Sequence, residues 1–187
     1  MIILASKSPR RYELMKKYIT NSFLVVPSTN EEIINKNIPI EEAIKEVAYK
    51  KGKSIKELYP QDIVISADTV VILDGEILGK PIDKIDAYNM LKKMSNKTHL
   101  VLTSYSILYE DKVISRNVFS KVTFNKLEDS LINEYIETLS PLDKAGSYGI
   151  QDELGNKLVK KYEGSLNNII GFPVEDIKKD LKDLNLI

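Results

Sequence analysis

The first eleven residues, MIILASKSPRR (1–11), contain a strand, a loop and the start of a helix in immediate succession. The apolar run from Ile2 to Ala5 is predicted to form a short buried strand. A helix is predicted to continue through Lys17, because Ser8 suits the N-cap and Pro9 suits the first helical position. A loop that leaves the carboxyl end of a strand and enters a helix is where open α/β sheets usually bind ligands.

The composition is that of a globular protein of modest size. The 187 residues are 43% hydrophobic and 29% charged, which predicts a single domain over 1–187, built as one unit or as two small lobes that share a cleft. Lys plus Arg and Asp plus Glu both number 27, so no overall charge attracts nucleic acid or a membrane surface. The apolar start is too short for a signal peptide or a membrane span. We therefore expect neither a nucleic-acid partner nor a membrane partner.

Two residue types that often carry chemistry are scarce. The sequence has no cysteine, which excludes disulfides, thiolate metal sites and cysteine nucleophiles and fits the reducing cytoplasm. His99 is the single histidine, so a Ser-His-Asp triad or a zinc site of several histidines is not expected.

Helical and extended patterns alternate along the rest of the chain. The residues from Ile40 to Ala48 show the spacing of one apolar helical face, and Asp74-Gly75 predicts a hairpin after a long apolar strand. Further elements are predicted at 63–73, 77–78, 83–94, 100–109, 113–124, 127–139 and after 173, with a segment dense in glycine before the last helix. The pattern predicts an α/β protein with a twisted, mixed central sheet and flanking helices.

The loop at residues 6–11 has the chemistry of an anion site. Two hydroxyls (Ser6 and Ser8), free backbone N–H groups and two guanidinium groups (Arg10 and Arg11) surround one helix N-terminus. The alternative is a capped helix with solvated surface arginines. The position of the loop after a strand favours the anion site.

Two charged residues interrupt apolar patterns. Lys51 continues the apolar stripe of the helix that begins near Ile40, and by itself this favours a side chain that extends past the edge of the core. The alternative is a lysine that reaches a phosphate. Asp68 lies in the apolar run 63–73, and an unpaired buried carboxylate costs several kcal/mol, so it should be partnered, protonated or metal-bound. A strand-end Asp that accepts hydrogen bonds from backbone N–H groups is its structural alternative.

Three more places offer polar groups. Lys80 lies between Gly79 and Pro81 on a predicted rigid turn, where an ordinary exposed charge is the alternative. The segment DKAGSYGIQ (143–151) could bring Lys144 and Gln151 close to a ligand, or be a loop shaped by its glycines. Glu31 and Glu32 are loop charges that gain a role only if a metal is needed.

Taken in order, these segments resemble the Maf family over nearly the whole chain. The opening motif and the Asp-Lys-Ala-Gly motif are the most specific parts. The matching segments are LASKSPRR (4–11), Glu31-Glu32, Lys51, SADT (66–69), LGKP (78–81), Thr98-His99, DKAGSYGIQ (143–151), Gly164-Ser165 and Gly171-Phe172-Pro173.

The resemblance implies a two-lobed α/β fold related to inosine triphosphate pyrophosphatases, with a cleft between the lobes and commonly a homodimer. It also implies hydrolysis of a nucleoside triphosphate between the α and β phosphates, house-cleaning of the nucleotide pool, and a link to arrest of septum formation. By matching position, Asp68 would be the catalytic carboxylate and Glu32 a metal-associated residue. The matching phosphate contacts are Ser6, Arg11, Lys51 and Lys80.

Two subgroups of the family differ in the base they accept. One has Ser-Pro-Arg-Arg with a later Ile-Gln and prefers dTTP and UTP, whereas the other handles 7-methylguanosine triphosphate, has Trp for the first arginine and lacks the glutamine. This chain resembles the first subgroup, since it has Arg10 and Gln151. A Gln amide can pair with the O4 and N3–H edge of uracil or thymine. Asp152 and Ser104 stand where the family usually has glycine.

A divalent metal completes the expected chemistry. A triphosphate carries about four negative charges, which a metal and several cations must offset before water can attack phosphorus. Mg²⁺ fits oxygen-only ligands such as Glu32 and Asp68, with Mn²⁺ as a substitute, and Asp68 could hold the metal, activate water or do both. The alternatives are a division regulator that binds nucleotide without turnover and a nucleotidyltransferase.

Overall fold

The computed structural model describes residues 1–187, with seven strands and seven helices. Two short 3-10 turns precede the fifth helix, at Ser140–Asp143 and Ala145–Ser147. The elements are β1 Ile2–Leu4, α1 Pro9–Tyr18, β2 Phe23–Val25, α2 Ile40–Leu58, β3 Ile63–Leu73, β4 Glu76–Leu78, α3 Lys84–Met94, β5 Thr98–Tyr109, β6 Lys112–Phe124, α4 Asp129–Glu137, α5 Glu153–Leu158, β7 Val159–Glu163, α6 Leu166–Ile170 and α7 Val174–Asp183.

All seven strands join one mixed sheet. Six strands follow the order β2-β1-β3-β5-β6-β7, and β4 pairs with β3 off this path. Strand β1 runs parallel to both neighbours, with Ile3 opposite Leu24 on one side and Val64 on the other. The pairs β3–β4 and β6–β7 are antiparallel. The predicted α/β fold with a mixed sheet and flanking helices is therefore confirmed.

The turn between β3 and β4 shows why its sequence predicts a hairpin. Asp74 has φ of 50° and Gly75 has φ of 80°, so both central residues adopt the left-handed conformation. Two-residue hairpin turns of this kind match the twist of the flanking strands, and Asp-Gly is among the pairs that tolerate them. The hairpin prediction is confirmed.

The chain divides into two compact units: 1–69 with 103–118 and 171–187, and 70–102 with 119–170. In the first unit, α1 packs against α7. In the second unit, α3 packs against α4 over a large apolar core that includes Leu91, Phe124 and Tyr135. The predicted cleft shared by two lobes stays a prediction. None of the helices is long and apolar enough to cross a membrane.

The glycine-dense segment contains three elements that sequence patterns missed: α5, β7 and α6. Gly155 lies inside α5, where a Cβ would clash with the carbonyl oxygen of Gly149. Close packing against this carbonyl thus requires the glycine, which from sequence alone looks like a helix breaker. The helix predicted at 127–139 is shorter than expected, and Leu139 has φ of 62° beyond its end.

Candidate active site

The loop between β1 and α1 is folded by its own serines. The side chain of Ser8 accepts a hydrogen bond from the backbone N–H of Arg11 at 3.4 Å and so caps α1, as predicted. The hydroxyl oxygen of Ser6 is buried and accepts from the backbone N–H of Ser8 at 3.1 Å. Pro9 occupies the first turn of the helix, where its missing N–H costs nothing. The hydroxyls therefore first shape the loop.

Arg11 connects this loop to the strand that carries Asp68. Its guanidinium donates from Nη1 to the carbonyl oxygen of Ala67 at 2.7 Å and from Nη2 to Oγ1 of Thr69 at 3.1 Å. Nε donates to the carbonyl oxygen of Gly171 at 2.9 Å. Arg11 thus holds the residues on both sides of Asp68. Its predicted contact with phosphate stays a prediction.

The electrostatic surroundings of Arg11 are mixed. Burial lowers the pKa of its guanidinium, whereas the negative charges of Asp68 and Glu32 raise that pKa and the positive charge of Arg10 lowers it. Arginine stays protonated in proteins even when its pKa is reduced. Arg10, which the sequence also assigns to substrate, is half-buried beside it. The loop therefore presents positive charge near the two carboxylates.

Lys51, Asp68 and Glu32 form a charged cluster. The Nζ atom of Lys51 lies 2.6 Å from Oδ1 of Asp68 and 2.6 Å from Oε1 of Glu32. Asp68 is 6% exposed and Lys51 is 8% exposed, so the expectation that a buried Asp68 must be partnered is confirmed. The interpretation of Lys51 as a side chain that extends past the core edge is wrong, because its amino group is held between two carboxylates. With Arg11, the formal charges of the cluster cancel.

Glu32 and Asp68 suit a metal ion whose remaining ligands are oxygens of phosphate or water. Glu32 and Asp68 converge on one cationic group, the Nζ of Lys51. No group of three or more His, Cys, Asp and Glu side chains is arranged to hold a metal ion. Mg²⁺ is commonly bound by one or two carboxylates together with phosphate oxygens and water. The residues therefore suit a metal brought with a phosphate ligand, and do not form a closed protein cage.

The predicted residues fall into both units. Lys80 is exposed after β4, and its turn is tied to the Asp-Lys-Ala-Gly segment because the N–H of Gly146 donates to the carbonyl oxygen of Gly79 at 3.0 Å. Gln151 is exposed just before α5. Lys80 and Gln151 belong to the second unit, and the first unit contains Ser6, Arg10, Arg11, Glu32, Lys51 and Asp68.

The sequence did not predict the contacts of several residues around the site. Thr69 and Gly171 bind Arg11, but a contact to the Gly171 backbone carbonyl leaves no mark in the sequence. Asp152, noted only as a departure from the family pattern, accepts hydrogen bonds from the Tyr135 hydroxyl at 2.6 Å and the Ser140 hydroxyl at 2.7 Å. The presence of Asp where the family usually has glycine was the one feature of the sequence that pointed to a role for Asp152.

The second departure, Ser104, has a local role. Its hydroxyl donates to Oδ1 of Asn117 at 2.6 Å, and the Asn117 amide donates to the carbonyl oxygen of Glu41 at 3.3 Å. These bonds connect β5, β6 and α2 within the first unit. Ser104 therefore contributes a side-chain contact between elements, beyond the effect on backbone geometry that the sequence predicted.

Comparison with known proteins gives consistent matches. The family model described as Maf-like protein matches residues 1–184. A protein of Thermosipho africanus (strain TCF52B) named dTTP/UTP pyrophosphatase is 46% identical over 186 residues, which cover 100% of this chain and 94% of that protein. A protein of the same name from Acholeplasma laidlawii (strain PG-8A) is 42% identical, and the match covers 100% of this chain and 98% of that protein. Another, from Pyrococcus furiosus (strain ATCC 43587 / DSM 3638 / JCM 8422 / Vc1), is 45% identical, and the match covers 92% of this chain and 90% of that protein.

A solved structure shares the fold. The nucleoside-triphosphatase, or dITP/XTP pyrophosphatase, of Mycobacterium abscessus ATCC 19977 / DSM 44196 superposes with a TM-score of 0.50 at 10% sequence identity. The alignment covers 99% of this chain and 96% of that protein. At this identity the likeness concerns the fold alone.

Proposed function

Since this chain belongs to the Maf family, we propose that it hydrolyses dTTP and UTP to the nucleoside monophosphate and pyrophosphate. The observation that carries the proposal is the cluster of Lys51, Asp68 and Glu32 beside the Ser6–Arg11 loop. Relatives that are 46% and 42% identical over the whole chain are named dTTP/UTP pyrophosphatase, which supports the same activity here.

In the proposed reaction, the carboxylates activate water and hold the metal, and the cationic groups contact the phosphates. Asp68 would orient the attacking water and accept its proton, a role that its buried position beside Lys51 supports. The groups that would contact the phosphates are Ser6, Arg10, Arg11, Lys51 and Lys80, because positive charge stabilises both the triphosphate and the leaving pyrophosphate. Glu32 and Asp68 would hold Mg²⁺, with Mn²⁺ as a substitute, and a bound metal would further offset the phosphate charge.

The proposed base recognition depends on Gln151. Its side chain is exposed, and its amide offers one acceptor and two donor hydrogens. These groups complement the O4 and N3–H edge that uracil and thymine share. The amide therefore supports binding of the uracil or thymine base.

Four further properties are proposed from the family resemblance. The chain would act as a homodimer in the cytoplasm, and its activity would remove unwanted nucleotides from the pool. A link to arrest of septum formation would follow from the same membership. The homodimer and the cytoplasmic location can each be tested separately from catalysis.

A substrate panel tests the proposed function. The purified protein would be incubated with Mg²⁺ and equal concentrations of dTTP, UTP, the purine triphosphates and 7-methylguanosine triphosphate, and kcat/KM would be measured for each. We expect dTTP and UTP to give the highest values. A clearly higher kcat/KM for 7-methylguanosine triphosphate would refute the proposed base preference. The absence of turnover with every nucleotide would refute the proposed enzymatic activity.

A further inference from the structure

The residue after Gln151 closes the turn that presents it. The backbone N–H of Asp152 donates to the carbonyl oxygen of Gly149 at 3.1 Å, so residues 149–152 form a tight turn with Gln151 exposed on it. A turn held by one backbone hydrogen bond can open and rotate its side chains. The position of the Gln151 amide therefore depends on what else holds the two ends of the turn.

A side-chain relay holds both ends. Oδ2 of Asp152 accepts a hydrogen bond from the hydroxyl of Tyr135 at 2.6 Å, and the same hydroxyl accepts from the backbone N–H of Gly149 at 2.9 Å. The last residue of the turn is thus connected through Tyr135 to the first. Burial, followed by the hydrogen bond to Asp152, raises the pKa of the Tyr135 hydroxyl, which keeps it protonated as the donor.

The same carboxylate is connected to Lys144. Oδ2 of Asp152 accepts from the hydroxyl of Ser140 at 2.7 Å, and Ser140 Oγ accepts from Nζ of Lys144 at 2.8 Å. Lys144 Nζ is itself 3.7 Å from Oδ2 of Asp152. Lys144 is 8% exposed, so these contacts fix a buried cation next to the turn.

The Gln151 amide and the Lys144 stem lie against the first residue of the turn. A Cβ placed on Gly149 would be 2.7 Å from Nε2 of Gln151 and 2.8 Å from Cε of Lys144. Both side chains therefore occupy the space next to Gly149. An Ala at this position would force both side chains to move.

We propose that Asp152 is a positioning residue for pyrimidine recognition: through Tyr135 and Ser140 it fixes the 149–152 turn and so the orientation of the Gln151 amide. The proposal rests on the proposed function, since it assigns Gln151 to the base. Asp152 acts on base binding without contacting the phosphates. Its loss should therefore raise KM for the nucleotides, with a smaller effect on kcat and none on binding of a phosphate chain that lacks a base.

The test compares four variants of the full chain. KM and kcat would be measured for dTTP and UTP, and inorganic tripolyphosphate would serve as a competitive inhibitor without a base. Asp152→Ala should raise KM about tenfold, because the turn that presents Gln151 loses its hydrogen bonds to a charged group. Its kcat should change less than about threefold, and the tripolyphosphate inhibition constant should stay within about twofold of the wild-type value. Asp152→Asn, which keeps an acceptor oxygen for Tyr135 and Ser140, should restore KM to within about threefold.

Two further variants keep the test decisive. Tyr135→Phe removes the relay but leaves the carboxylate, so it should raise KM as Asp152→Ala does, and it decides the question if Asp152→Ala does not fold. Glu153→Ala, an exposed neighbour in α5, is the matched control and should behave like wild type.

The outcomes separate this inference from the proposed function. If the wild-type protein does not hydrolyse dTTP or UTP, the proposed function fails and the inference fails with it. If the wild-type protein is active but Asp152→Ala and Tyr135→Phe keep a wild-type KM, the inference alone fails. An equal loss of nucleotide and tripolyphosphate binding would also overturn it, because that result would indicate general loosening of the second unit.

Discussion

Asp68 is the residue on which the proposed chemistry depends. Its carboxylate is buried in β3, faces the ammonium group of Lys51 at 2.6 Å, and lies between two residues whose polar groups are held by Arg11. This arrangement fixes the backbone on both sides of the carboxylate. A group held in this way loses little freedom when it positions a water molecule.

Asp68→Asn should abolish most turnover while the protein stays folded. The amide cannot accept a proton, which should lower kcat by about 100-fold or more. The lost ion pair should cost about 1–3 kcal/mol of unfolding free energy, because Lys51 keeps Glu32 as a partner. Steady-state kinetics and thermal unfolding of the purified variant provide the measurement.

Asp74→Asn is the matched control for this variant. Asp74 is exposed at the end of the same hairpin with φ of 50°, a conformation that Asn tolerates. Its kcat should equal that of the wild type. Wild-type turnover by Asp68→Asn would show that the role assigned to Asp68 is wrong.

Individual residues differ in how far the sequence reveals them. Asp68 was identifiable because a carboxylate in an apolar strand needs a partner. Lys51 was ambiguous, since a lysine on an apolar helical stripe can extend to solvent or turn to a buried charge. The partners of Arg11 were not predictable, because two of them are backbone carbonyls 56 and 160 residues away along the chain.

At the scale of elements, α2 places Lys51 by packing closely on the sheet. A Cβ on Gly52, the next residue, would lie 2.5 Å from Cδ1 of Leu108 and 2.6 Å from Oγ of Ser66. The Ser66 hydroxyl also donates to the carbonyl oxygen of Ala48 at 2.6 Å. The glycine therefore lets the helix approach the strands closely enough for Lys51 to reach Asp68.

Gly52→Ala should destabilise the protein although alanine favours helices. The gain in helix propensity is about 1 kcal/mol, whereas forcing a methyl group into a filled space costs about 1–3 kcal/mol and displaces Lys51. We expect a net loss of unfolding free energy in urea and a lower kcat. In the control Gly79→Ala, the added Cβ has no atom within 4 Å and should leave stability nearly unchanged. A Gly52→Ala protein as stable as wild type would contradict the packing argument.

The elements themselves were predictable in proportion to their length and pattern. The strand over 63–73, the hairpin at Asp74-Gly75 and the helix from Ile40 carry long patterns or a specific turn pair, and all three are present. The short elements α5, β7 and α6 were missed, because five or six residues are too few to show a clear period. Close packing around Gly155 determines that region.

At the scale of the whole molecule, site residues assigned from the sequence extend from Ser6 to Gln151 and belong to both compact units. Full-length similarity to relatives named dTTP/UTP pyrophosphatase fits this distribution, because it includes the loop, the carboxylate strand and the Gln151 segment together. The central claim therefore concerns the reaction: water attacks the α phosphorus of a pyrimidine nucleoside triphosphate.

Hydrolysis of dTTP in water labelled with oxygen-18 tests that claim most directly. The purified protein would be incubated with dTTP and Mg²⁺, and the masses of the separated reaction products would be measured by mass spectrometry. Attack at the α phosphorus forms a bond from the water oxygen to that atom and breaks the bond to the bridging oxygen, which leaves with pyrophosphate. The account predicts labelled dTMP and unlabelled pyrophosphate in equal amounts, with no dTDP at early times. Unlabelled dTMP with labelled pyrophosphate, or dTDP with orthophosphate, would contradict it.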